Sequence, residues 1–193
     1  VEDQGDAFGD LGVLFILIVI LVYIVMATQF ESLLFPFIIM FTIPFAFTGV
    51  FLALWMTSTP LSLIALIGAI MLVGIVTKNG IVMVDYMNLL VERGSGVFDA
   101  VIAGGKSRLR PVLMTSFTTI LGMLPLAIGT GAGSERWQPM GIAVIGGLTC
   151  STLLTLFIIP ALYSVFVNRS QRKEKEKLAR RAAEHQARVH SKN

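Results

Sequence analysis

The chain has 193 residues, 55% of them hydrophobic and only 14% charged, with a formal net charge of +3. A water-soluble domain carries about a quarter charged residues, which excludes that class, and strands of a membrane barrel would be shorter and would alternate apolar with polar residues. Instead the sequence falls into apolar runs of about 20 residues, each long enough for a helix to cross a hydrocarbon core of roughly 30 Å. The prediction is an all-α, polytopic membrane helix bundle.

Five spans are predicted, at residues 11–27, 34–55, 61–86, 111–128 and 140–167. The second has Pro36 near its start and Pro44 inside it. No initiator Met and no basic n-region precede the first run, so further chain is expected upstream. Short connectors join most spans. The exception is residues 92–110, where 97–103 is predicted to form a surface helix closed by Gly104 and Gly105, with Pro111 starting the next span. Arg93, Lys106, Arg108 and Arg110 lie in that connector, and residues 168–193 form a strongly basic tail. Both are therefore expected on the cytoplasmic side. Glu2, Asp3, Asp6 and Asp10, with no base among them, fall on the opposite side. This asymmetry suits a protein set in a lipid bilayer, and no nucleic-acid partner is expected. The tail reads as a helical anchor attracted to anionic lipid, with Glu176 and Arg180 paired along it and His185 and His190 solvated.

Small residues at four-residue spacing, Gly49 with Ala53, Ala65 with Ala69 and Ala143 with Gly147, predict close helix approach. The single Cys150 lies in an apolar run and reads as packing. It has no partner for a metal site, and no cofactor is expected. The GGKS stretch at 104–107 lacks the earlier glycine of a phosphate loop, which excludes ATP binding there. Nothing points to an enzyme.

Lys78 is the informative residue. It lies deep in the third span, where a lysine costs about 2.5–3.5 kcal/mol on insertion scales. It must snorkel, make a structural bond between helices, or take part in ion or proton coupling. Asp85, seven residues on, shares its face roughly 10 Å along the axis and reads as interfacial or as a second relay group. Asn79 and the hydroxyls of Thr115, Ser116, Thr118 and Thr119 are possible hydrogen-bond partners, though such hydroxyls often only satisfy local carbonyls. No other span has a carboxylate in its middle, so the acid that balances Lys78 is expected from outside these residues.

Four stretches, ATQFESLLFPFIIMFTIPFAFTGV, LVGIVTKNGIVMVDY, RLRPVLMTSFTTILGMLPLAIGTGAG and GIAVIGGL…FIIPALY, resemble in order spans 8–12 of resistance-nodulation-division (RND) exporters. The resemblance covers nearly everything from Gly9 to Val167. It implies a twelve-span proton/substrate antiporter of the bacterial inner membrane, in which this chain packs against an N-terminal half. It also implies a homotrimer joined to a periplasmic adaptor and an outer-membrane channel. Lys78 then occupies the place of the relay lysine, which faces two aspartates of the fourth span, and Arg108 and Thr115 occupy those of the relay arginine and threonine. Residues 1–10 look like the end of a periplasmic domain. TKNGI resembles the hydrophobe and amphiphile branch, whereas heavy-metal exporters have an acid-containing pattern there. A relative exporting lipids or metals, and a non-transporter such as a channel subunit or translocation accessory, remain as alternatives.

Overall fold

The structure is a computed structural model that describes residues 2–131 and 133–190, with side chains described at 5 and over 7–169 except 132. The described residues are helical throughout, apart from short turns. Helix α1 spans Glu2–Phe30, α2 Leu34–Met40, α3 Ile43–Met56, α4 Leu63–Glu92, α5 Val97–Ile128 and α6 Gln138–His190. A single 3-10 turn, Ser134–Arg136, precedes α6. Five segments are long and apolar enough to cross a membrane: Ala7–Phe30, Leu34–Met56, Leu63–Glu92, Val97–Ile128 and Gln138–Arg169.

The acidic start is the first turns of α1. That helix ends where Glu31 takes a left-handed conformation, φ 48°. The second span is broken into α2 and α3 at Phe41–Thr42. There the buried Thr42 hydroxyl turns back and donates to the Ile39 carbonyl at 2.6 Å, and Pro44 sits in the first turn of α3. A proline is tolerated there because first-turn N–H groups have no helical acceptor. Ser62 caps α4 by accepting from the Ala65 N–H at 3.2 Å.

The connector at 92–110 is corrected by the structure. Only residues 93–96 are a turn, and α5 runs unbroken from Val97 through Gly104, Gly105 and Pro111 to Ile128. Gly104 does not close a helix. It lets α5 approach α4, since a Cβ there would lie 2.6 Å from Met87 Cγ. Pro111 removes one backbone donor, a loss that membrane helices tolerate where neighbouring groups satisfy the freed carbonyl. α5 stops at Gly129, whose φ of 75° suits a residue without a Cβ. Downstream, α6 continues as one helix to His190. The Glu176–Arg180 pair, His185 and His190 are side chains outside the described residues.

α4 and α6 form the middle of the bundle, and α3 and α5 each pack on α6 through small residues. A Cβ on Gly146 would run into Ala53 and lie 2.9 Å from the Gly49 carbonyl. One on Gly147 would run into Leu72, and one on Gly141 would lie 2.8 Å from the Ala127 nitrogen. Ala65, Ala69 and Ala143 are buried in the same core, and Cys150 packs on Gly49. A second core joins Met26 of α1 and Ile38 and Ile39 of α2 to Met83, Met87, Ile159 and Tyr163. Two peripheral helices are largely bare. Met26 is the one fully buried residue among those described in α1, and Met114, Phe117, Leu121 and Ile128 of α5 point outward.

Candidate functional site

Lys78 lies at the midpoint of α4, about 22 Å from either end of the helix. A four-carbon stem is far shorter than that distance, so the ammonium reaches neither end of α4 along the helix. The side chain is exposed at the edge of the bundle, in a groove of about 290 Å³ between α1 and α4. The walls are Leu21, Val22, Val25 and Met26 on one side and Gly74, Thr77, Ile81 and Val82 on the other. None of them is a carboxylate.

The other predicted residues are placed differently from one another. Asn79, 9% exposed, turns into the bundle and away from the Lys78 groove. Asp85 does share the α1 side of α4 with Lys78. It lines a separate, more polar hollow with Gln29, Glu31, Asn88 and Glu92. Arg108 is half-buried, its guanidinium stacked over the ring of Tyr86 at 4.6 Å. Its Nε is buried without a hydrogen-bond partner.

Thr115 is exposed on α5, and its hydroxyl donates to the carbonyls of Pro111 at 3.2 Å and Val112 at 3.0 Å. The antiparallel register of α4 and α5 is set by Gly104 against Met87 and Arg108 against Tyr86. Seven residues along α5 from Arg108 is about 10 Å, and eight back along α4 from Tyr86 is about 12 Å. Thr115 is therefore level with Lys78 in depth, though on a separate helix and bonded to its own backbone. The structure thus leaves the predicted trio unjoined, with Lys78 on the α1–α4 groove, Arg108 on Tyr86 and Thr115 bonded to its own helix.

Sequence reasoning singled out the hydroxyls of α5 but passed over Thr77 of α4 and Thr152 and Thr155 of α6, which lie at the same depth. Ser116 reaches across to Thr152 of α6 at 2.9 Å, whereas Thr118 and Thr119 only satisfy the carbonyls of Met114 and Thr115. Gly80 against Ile159 sets the parallel register of α4 and α6. Thr77 and Thr155, three and four residues earlier, are therefore level with each other. Both are buried, and neither hydroxyl has a partner. Their signal in the sequence was polarity inside otherwise apolar runs. What that polarity met could not be read without the register.

These features define a polytopic helical membrane protein with a lysine at the midpoint of one of its apolar helices. The AcrB/AcrD/AcrF family profile matches residues 1–167, and the chain belongs to that family. It is 46% identical over 144 residues to the multidrug resistance protein MdtC of Erwinia tasmaniensis, a match covering 74% of this chain and 14% of that protein. It is 39% identical over 172 residues to the swarming motility protein SwrC of Bacillus subtilis, covering 89% of this chain and 16% of SwrC. A crystal structure of a heavy metal efflux pump superposes with a TM-score of 0.79 at 32% identity, covering 86% of this chain and 17% of that one. The chain thus spans about a sixth of the length of the proteins it matches. Its relatives are RND efflux transporters rather than enzymes.

Proposed function

We propose that this chain is the C-terminal membrane part, spans 8–12, of a proton-driven exporter of hydrophobic and amphiphilic compounds. It sits in a bacterial inner membrane with residue 1 periplasmic and the C-terminus cytoplasmic, and works as a homotrimer with an adaptor and an outer-membrane channel. The observation that carries the reading is Lys78, at the midpoint of α4 and facing a groove without a carboxylate. An ammonium at that depth requires an opposing charge, and the RND resemblance supplies one in the paired aspartates of the N-terminal half.

The mechanism follows from charge. While the aspartates are ionised they hold Lys78, and α4 is drawn towards the other half. When they take up protons the attraction is lost and α4 is free to shift. A charge crossing the membrane potential contributes about 2.3 kcal/mol per 100 mV, enough to bias a bistable helix packing. Thr115, level with Lys78, and Arg108, about two turns away on the same stripe of α5, border the path that the proton takes.

The likeness to a heavy metal efflux pump favours a second reading, metal export on the same scaffold. The TKNGI stretch and the greater identity to MdtC favour drugs. Both readings are tested with the full-length transporter in a strain stripped of its own pumps. Dye efflux that stops when a protonophore collapses the proton gradient supports the proposal. Resistance to zinc, copper or silver without resistance to dyes supports the second reading, and efflux that persists without a proton gradient overturns both.

A further inference from the structure

Arg108 and Tyr86 form the one stacked pair of a cation and a ring among the described residues, and the two come from different helices, α5 and α4. The guanidinium carbon lies 4.6 Å from the ring centroid, close enough for the ring's negative face to attract it. Arg108 is also short of other partners, because its Nε is buried with no hydrogen bond. Asp85, beside Tyr86 in sequence, lines the hollow on the α1 side with Glu31 and Glu92. Lys106 and Arg110, to either side of Arg108, are exposed, so Arg108 alone of the three is drawn into the α4–α5 seam. A planar, weakly hydrated guanidinium suits a ring face better than an ammonium would.

We infer that Tyr86 is the positioning residue of Arg108: its ring face holds the guanidinium in the seam between α4 and α5. The inference rests on the reading of Arg108 as a relay residue, which assigns Tyr86 no part. The clasp has two consequences. It keeps Arg108 at the end of the stripe that leads to Thr115, and it pins the register that sets Lys78 and Thr115 at one depth.

The test uses the full-length transporter and measures efflux kinetics at matched membrane abundance. Tyr86→Phe and Tyr86→Trp keep a π face and are expected to hold the maximal rate within about twofold. Tyr86→Leu fills the space without one and is expected to lower the rate about tenfold, or ~1.36 kcal/mol, with KM unchanged. Should the leucine variant fail to reach the membrane, phenylalanine with one, two and three ring fluorines at position 86 keeps the shape while draining the π face. The rate should then fall stepwise with fluorination. A flat fluorine series, a leucine variant as fast as wild type, or a phenylalanine variant as slow as leucine overturns the inference. Arg108→Gln separates the two levels. If it abolishes efflux while the Tyr86 series is silent, only the inference falls. If it exports like wild type, the relay reading of Arg108 falls and the inference with it.

Discussion

Replacing Lys78 in the full-length transporter by methionine should abolish export while leaving abundance and assembly close to wild type. The groove between α1 and α4 already offers Lys78 eight uncharged neighbours, four of them aliphatic or thioether side chains of α1. Methionine fits those walls and removes a charge that costs about 2.5–3.5 kcal/mol at the centre of a membrane helix, so insertion does not suffer. The loss appears instead on the facing carboxylates. Breaking a buried charge pair by removing one partner costs about 3–5 kcal/mol, which corresponds to roughly two to nearly four orders of magnitude in the population of the ionised state. The carboxylates then keep their protons through the cycle, and efflux falls at least about a hundredfold. Lys78→Arg keeps the charge but not the compact ammonium, and it should fail largely as well. The assay is drug efflux beside quantified membrane abundance and trimer content. Near-wild-type efflux by Lys78→Met at equal abundance would reduce Lys78 to a structural residue and refute the mechanism.

In a Cys150→Ala background, cysteines replacing Ser58 and Glu135 should react with an impermeant thiol reagent from outside, and one replacing Ser95 should not. Strong external labelling at 95 would invert the topology. Residues 1–193 expressed alone in a pump-deleted strain should leave drug susceptibility unchanged, and restored resistance would show that Lys78 needs no acid from elsewhere. Gly146→Val puts side-chain atoms onto Ala53 and the Gly49 carbonyl. It should destabilise the α3–α6 contact by about 1–3 kcal/mol, read as a lower thermal midpoint of the purified transporter. Thr155→Val removes a buried hydroxyl with no partner, a group that costs about 1–3 kcal/mol when unsatisfied. Its midpoint should hold or rise, and a clear drop would mean that the hydroxyl is satisfied in the assembled protein.

Helix number and the anomaly of Lys78 were legible in the sequence because each is a local property. A run of 20 apolar residues has one outcome in a bilayer whatever surrounds it, and an ammonium inside such a run is out of place before any fold is known. Gly49, Ala53, Ala143 and Gly147 were legible too, since small side chains at helical spacing mark a close approach without naming the partner. The course of the fourth span was not. Gly104, Gly105 and Pro111 read as a boundary because local propensity opposes a helix there. The structure carries α5 straight through them, since Gly104 is needed against Met87 and tertiary contact outweighs propensity. The direction in which each side chain points also needed the tertiary structure. A helix in water marks its buried face by polarity, but between lipid and protein both neighbours are apolar, and periodicity does not tell them apart. That Lys78 opens on an α1–α4 groove, that Asn79 turns inward, that Thr77 and Thr155 lie level without partners and that Tyr86 lies against Arg108 all depend on the registers between helices. Those registers are set by contacts such as Gly80 on Ile159 and Gly104 on Met87, between residues far apart in the chain or on separate helices.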